Sequence, residues 1–232
     1  MTILGIDTAL GVCSVALWRG GEVAAEETVP MIAGHAEALA PMVERVLARA
    51  GVKAADLARL AVTIGPGTFT GVRIGLSFAR AMALALKTPV AGVTTLEALV
   101  EGARRAATAS TIVAAVIDAR RGELYFQLFD DAGAPMDPPA LLSHAAALER
   151  LDAVSAKAPV VLAGTGAAIL KTARPDARVT VSSVLQPEAR DVAAIAARRT
   201  EVPAAPPEPL YLRAPDAKLP GPPKRRPPKR AP

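Results

Sequence analysis

A chain of 232 residues, 51% hydrophobic and 21% charged, holds enough apolar material for a large buried core and lacks the composition of a disordered protein. One cysteine, Cys13, excludes an internal disulfide framework and fits a reducing compartment, while stretches free of charge reach only thirteen residues and contain glycine, which excludes an obvious membrane span. The formal charge of +5 suggests nucleic acid at first, but Lys224, Arg225, Arg226, Lys229 and Arg230 account for all of it, since removing those five leaves 22 basic against 22 acidic residues.

In chain order, "TILGID" (2–7) and "CSVALW" (13–18) are β-rich apolar runs, and Gly20-Gly21 signals a hairpin into a third strand, "EVAAEETV" (22–29). Residues 35–50 carry apolar side chains at helical spacing and stop at Gly51. A short buried strand, "LAVTIG" (60–65), leads into the glycine-rich stretch "GPGTFTGVRIG" and a helix over 70–86 with Thr68 or Thr70 as N-cap. The strand "PVAGV" (89–93) and the helix "TLEALVEGARRAA" (95–107) follow. A similar order then returns in reduced form: a hairpin of "TIVAAVID" and "GELYFQLFD" turning at 119–121, a short helix near 143–151, the strand "PVVLAG" (159–164), a helix from Ala167 and a last one over 187–199. The expected fold is α/β, two related βββαβα subdomains with the second trimmed: residues 1–105, 106–213, and a basic, proline-rich, disordered tail at 214–232. "PLYLR" (209–213) is placed to pin the chain back onto the body before that tail. The tail reads first as a solvated end, with an electrostatic hold on RNA as the other reading.

The glycine stretch is neither a Walker loop, since no Gly-Lys pair follows, nor a dinucleotide fingerprint, whose third glycine would fall at 70 and here stands at 71. Two physical readings remain. Small residues can bare backbone N–H groups to an anion at a helix N-terminus, or Gly67, Gly71 and Gly75 can let another backbone approach closely. The second is favoured, because the helix that follows is apolar on most sides, with only Arg73, Ser77 and Arg80 forming a narrow polar stripe. Burial on two faces then calls either for a second molecule against one of them or for a helix internal to the fold.

"GIDTALGVCSVAL", "GPGTFTGVRIGLSFARAMAL", "GVTTLEAL", "IDARRGELY" and "PLYLR", in this order from residue 3 to about 213, together resemble the TsaB family, also called YeaZ. The resemblance implies an actin-like, Hsp70-like ATPase (ASKHA) fold. It also implies a cytoplasmic, non-catalytic scaffold in the synthesis of threonylcarbamoyladenosine in tRNAs reading codons that begin with A. Its partners would be the catalytic subunit TsaD and then TsaE, with a second copy of itself when alone and at most indirect or tail-mediated contact with tRNA. TsaD-like proteins carry a metal-binding His-x-x-x-His after a "GV" strand end; here Thr95 and Leu99 stand at those positions, and the only histidines are His35 and His144. No metal, cofactor or catalytic residue is therefore expected, and no Ser-His-Asp or Cys-His set supports an older glycoprotease label.

The partner interface is expected on the two helices of the first half, through His35, Leu39, Met42 and Val46 and through Arg73, Ile74, Gly75, Phe78 and Met82. A vestigial phosphate loop is expected from Asp7, Thr8, Gly65, Gly67, Thr68, Thr70, Gly71 and Asp118, of which Asp7 and Asp118 end matching strands where actin-like enzymes hold phosphate or metal. Two rival readings stay open. One is a stand-alone ATP-dependent enzyme with Asp7 and Asp118 around Mg-ATP; the other is an RNA-binding adaptor working through the tail.

Overall fold

The computed structural model describes residues 1–106, 111–201, 203 and 205–213; the tail expected at 214–232 lies outside the described residues. The first half runs β1 (Thr2–Asp7), β2 (Val12–Arg19), β3 (Glu22–Pro30), α1 (His35–Arg49), β4 (Arg59–Thr63), α2 (Phe69–Leu86), β5 (Val90–Val93), α3 (Thr95–Ala106). The second runs β6 (Ile112–Arg120), β7 (Glu123–Phe129), β8 (Ala140–Ser143), α4 (His144–Ser155), β9 (Val160–Ala163), α5 (Ala167–Ala173), β10 (Val179–Val181), α6 (Ala189–Arg198). Each forms a five-stranded sheet, ordered β3-β2-β1-β4-β5 in one and β10-β9-β6-β7-β8 in the other, the same order read from opposite ends. This is the actin-like duplication. The second copy is trimmed in length and not in parts: α5 has 7 residues where α2 has 18, yet every element has its counterpart. The strands β8 and β10 escape a reading of the sequence because four and three residues are too few to display an alternation.

Strand periodicity explains the layers. In β1, Leu4 and Ile6 point to one side, into the cluster formed with α1 and α2, while Ile3 points to the other, against α6. β6 divides likewise, with Ala114 and Val116 facing α4 and α5, and Val113, Ala115 and Ile117 facing α3. The last helix of each half thus covers the sheet of the other: α3 packs on β6, β7 and β9, and α6 on β1, β2 and β4. The two helices meet in the middle, where Arg105 of α3 makes a two-pronged bond to Asp191 of α6 at 3.0 and 3.1 Å.

Two groups seat α6. The Arg59 guanidinium, almost wholly buried at the start of β4, donates to the carbonyls of Ala196 and Arg199 at the C-terminal end of α6, where unpaired carbonyls concentrate negative charge. At the other end Gly5 lets the helix touch the strand: a Cβ there would strike the Ala189 carbonyl and stand 3.0 Å from the Ala193 Cβ. Gly5→Ala is accordingly expected to destabilise the fold by about 1–3 kcal/mol through overpacking. The urea midpoint measures this, and an unchanged midpoint would mean that α6 is not held at backbone distance from β1.

Candidate functional site

The glycine-rich loop closes onto the turn between β1 and β2. The Thr68 amide donates to the Ala9 carbonyl at 2.8 Å, and the Thr8 hydroxyl donates to the Gly71 carbonyl at 2.7 Å. A Cβ at Gly71 would collide with the Thr8 carbonyl, one at Gly67 with the Ala9 carbonyl, and one at Gly75 would lie 2.7 Å from the Thr8 hydroxyl oxygen. Gly67, Gly71 and Gly75 are therefore where the loop and the start of α2 are pressed against the first turn, and packing uses the loop for itself. Thr68 is the N-cap, accepting from the Gly71 amide at 3.1 Å. Gly65, at φ +105°, admits the Leu210 carbonyl on the opposite side, and Thr70 is exposed.

The two strand-end aspartates have different surroundings. Asp7 is fully buried; one carboxylate oxygen accepts from the Thr63 hydroxyl at 2.6 Å and the Ala9 amide at 3.2 Å, while the other has no partner. Burial pushes its pKa up to about 7, only partly offset by the Thr63 and Ala9 bonds. Asp118 instead lines a cavity of about 430 Å³ between the halves, together with Gly67, Thr68, Gln186, Arg120 and Arg213. Its carboxylate bonds the Arg120 amide at 2.8 Å and pairs with the Arg120 guanidinium at 3.3 Å. Of the residues expected in a phosphate loop, Gly67, Thr68 and Asp118 border this cleft; Asp7 and Thr8 lie buried behind it, which does not suit two carboxylates around Mg-ATP. Arg120 and Arg121, at φ 63° and 59°, hold left-handed conformations at the cleft rim that the sequence did not signal. Among the described residues no group of three His, Cys, Asp or Glu side chains is placed to hold a metal. Thr95 is buried and Leu99 belongs to the core between α3 and the second sheet.

The helical interface needs correction. His35, Leu39, Met42 and Val46 are buried within the chain itself, the last three in the cluster beneath α1 and α2, and Gly75 is buried against Thr8. A stripe at helical spacing looks the same whether it faces a core or a partner, and here it faces the core. The uncovered side of α1 is Ala36, Glu37, Ala40, Pro41 and Glu44. α2 differs: only Gly71, Val72, Gly75, Leu76 and Ala79 of its 18 residues are buried. Arg73 is exposed, Ile74, Phe78 and Met82 are half-covered, and Phe69 and Leu84 stand 59% and 84% exposed. By length and composition α2 could cross a membrane, but its buried face is fixed to β1 and β4 and Arg73 and Arg80 interrupt the other. Between the two helices lies a groove of about 610 Å³ floored by Leu39, Ile74 and Phe78.

Comparison with known proteins places this architecture. The family described as tRNA N6-adenosine threonylcarbamoyltransferase (TsaD) matches residues 23–218. The tRNA threonylcarbamoyladenosine biosynthesis protein TsaB of Escherichia coli is 46% identical over 127 residues, 54% of either chain, so the match spans about half the length of that relative. YeaZ from Pseudomonas aeruginosa is 34% identical, with a TM-score of 0.78 over 91% of this chain and 99% of its own. The activator of 2-hydroxyisocaproyl-CoA dehydratase from Clostridium difficile, 12% identical with a TM-score of 0.50 over 84% of this chain and 94% of its own, shares the fold alone.

The buried aspartate yields a test. Because its folded pKa of about 7 lies above the ordinary 3.8, Asp7 stays protonated in the fold while the unfolded chain ionises, so its contribution falls as pH rises from about 4 to 7 and is constant outside that window. Asp7→Asn keeps an acceptor for Thr63 and cannot ionise. The stability difference between variant and parent should shift in favour of the variant by on the order of 2–4 kcal/mol across that window. Urea melts at stepped pH measure it, and a pH-independent difference would show that Asp7 is ionised in the fold.

Proposed function

The chain belongs to the TsaB/YeaZ family, and we propose that it is a non-catalytic subunit of the machinery that makes threonylcarbamoyladenosine in tRNA, docking onto a TsaD-type transferase and, through that pair, onto TsaE. The observation that carries this reading is α2, an apolar helix with one face seated by glycines and the other left open, with Leu84 84% exposed. A large exposed apolar surface on a folded protein marks an interaction site, and one of standard size buries roughly 1,600 Å² in total.

The absence of catalysis by this chain rests on the chemistry of the expected positions. Transfer of a threonylcarbamoyl group needs its developing charge stabilised, which in the family's active subunit falls to a bound metal. Thr95 and Leu99 stand where that subunit has its histidines, and neither buried side chain substitutes for an imidazole ligand. The subunit then acts by preference: binding the competent shape of TsaD more tightly than the idle one shifts the population by the difference in affinity. With no partner present, the same face is proposed to pair with a second copy.

Leu84→Asp puts a charge on the open face without touching the core, whereas Gly75→Arg would strike Thr8 and Val62 and test folding instead. Association of Leu84→Asp with purified TsaD should weaken by about tenfold or more, with the melting temperature unchanged, and modified-adenosine formation should fall in parallel. Modification by this chain alone would restore the enzyme reading. The cations of 221–232 are proposed as a secondary contact with tRNA. Their deletion should leave folding intact and reduce the salt slope of tRNA binding by up to about 3.5, at roughly 0.7 per phosphate contact. A truncated chain that no longer folds would refute an accessory role.

A further inference from the structure

The polar stripe of α2 is used in an unexpected way. Arg73 and Arg80 have no carboxylate partner among the described residues; both bind the segment 207–213 that follows the second half. Arg80 donates to the Pro207 carbonyl at 2.5 Å, and Arg73 donates to the Tyr211 hydroxyl at 2.7 Å. Between these points Leu210 donates its amide to the Ile64 carbonyl at 2.7 Å, and beyond them Arg213 pairs with Glu123 of the second half at 2.6 Å. The segment is thus a strap tied at four places, and it brings one side chain out onto the open face. The Tyr211 ring stacks on Phe69, with centroids 5.8 Å apart, and the Arg73 guanidinium lies 3.6 Å above the Phe69 ring. Phe69 and Tyr211 nonetheless remain 59% and 46% exposed.

We propose that the docking face is composite: Tyr211 of the strap, with Phe69 and Arg73, forms the anchor against which the TsaD-type partner seats. This rests on the docking reading above and adds a residue that no helix supplies. Three features favour a protein occupant. The cluster is continuous with the apolar groove floored by Leu39, Ile74 and Phe78. Its residue types, aromatic and Arg held rigid by each other, are those that concentrate binding energy at protein interfaces. On α2 itself the charge is of one sign, with Arg73 and Arg80 and no acidic residue. A partner helix offering a carboxylate beside apolar side chains complements it.

The test uses the full chain and purified TsaD. Tyr211→Ala should weaken their association by about tenfold or more, Tyr211→Phe should retain most of it because the stack survives without the hydroxyl, and both should melt with the parent. As a readout independent of any variant, iodination of Tyr211 in the parent chain should be rapid when free and suppressed in the complex. Unchanged association of Tyr211→Ala together with undiminished iodination in the complex overturns the proposal; Leu84→Asp then separates the cases, since loss of binding there leaves the helix face standing and its retention removes the docking reading as well. Effects of Tyr211→Ala confined to self-association, or to binding of a single-stranded RNA, would also overturn the assignment to TsaD.

Discussion

A helix can approach another backbone to van der Waals distance only where side chains are missing, and this fold depends on two such approaches. At Gly67 the loop before α2 lies against Ala9, at Gly71 and Gly75 the N-terminal half of α2 lies against Thr8, and at Gly5 the start of α6 lies against β1. The first contact consumes the loop that a nucleotide-binding relative would open to phosphate, with the Thr68 amide and the Thr8 hydroxyl turned to protein carbonyls. The second brings the last helix of one half under the sheet of the other. From both follows the distribution of covered and uncovered surface: the middle layer is closed by α3 and α6, and the far side of α2 is left open.

Charge follows the same division. Most described arginines sit in ion pairs, such as Arg45 and Arg49 on Glu27 and Arg198 on Glu101, which adds little stability at the surface but satisfies the cations. Those of α2 are instead committed to the strap, through a carbonyl and a phenol. Their charge is therefore available to whatever covers the face. Asp7 is the opposite case, a carboxyl enclosed without a cation, for which protonation is the cheaper state.

The strap also connects regions that a two-lobed fold would otherwise leave independent. It leaves the first sheet near Gly92, which a Cβ would bring within 2.7 Å of Pro207, passes the end of β4 at Ile64, and reaches the β6–β7 hairpin at Glu123 beside the cleft.

Much of this was legible in the sequence, because it rests on local rules. The apolar runs of β1, β4 and β6, the Gly20-Gly21 turn, the Thr68 cap and the repeated order of elements are set by residues near one another in the chain. So was the use of the glycine stretch for packing, since a helix apolar on most sides argued for it. What remained hidden needed distance information. The stripe of Leu39, Met42 and Val46 fits an inward or an outward face equally, and only the sheet beneath α1 decides for the core. Whether Asp7 faces a cleft or a closed interior depends on Thr63, 56 positions away, and Tyr211 meets Arg73 across 138. Periodicity fixes which side chains share a face; which face is covered is decided by segments that folding brings from elsewhere.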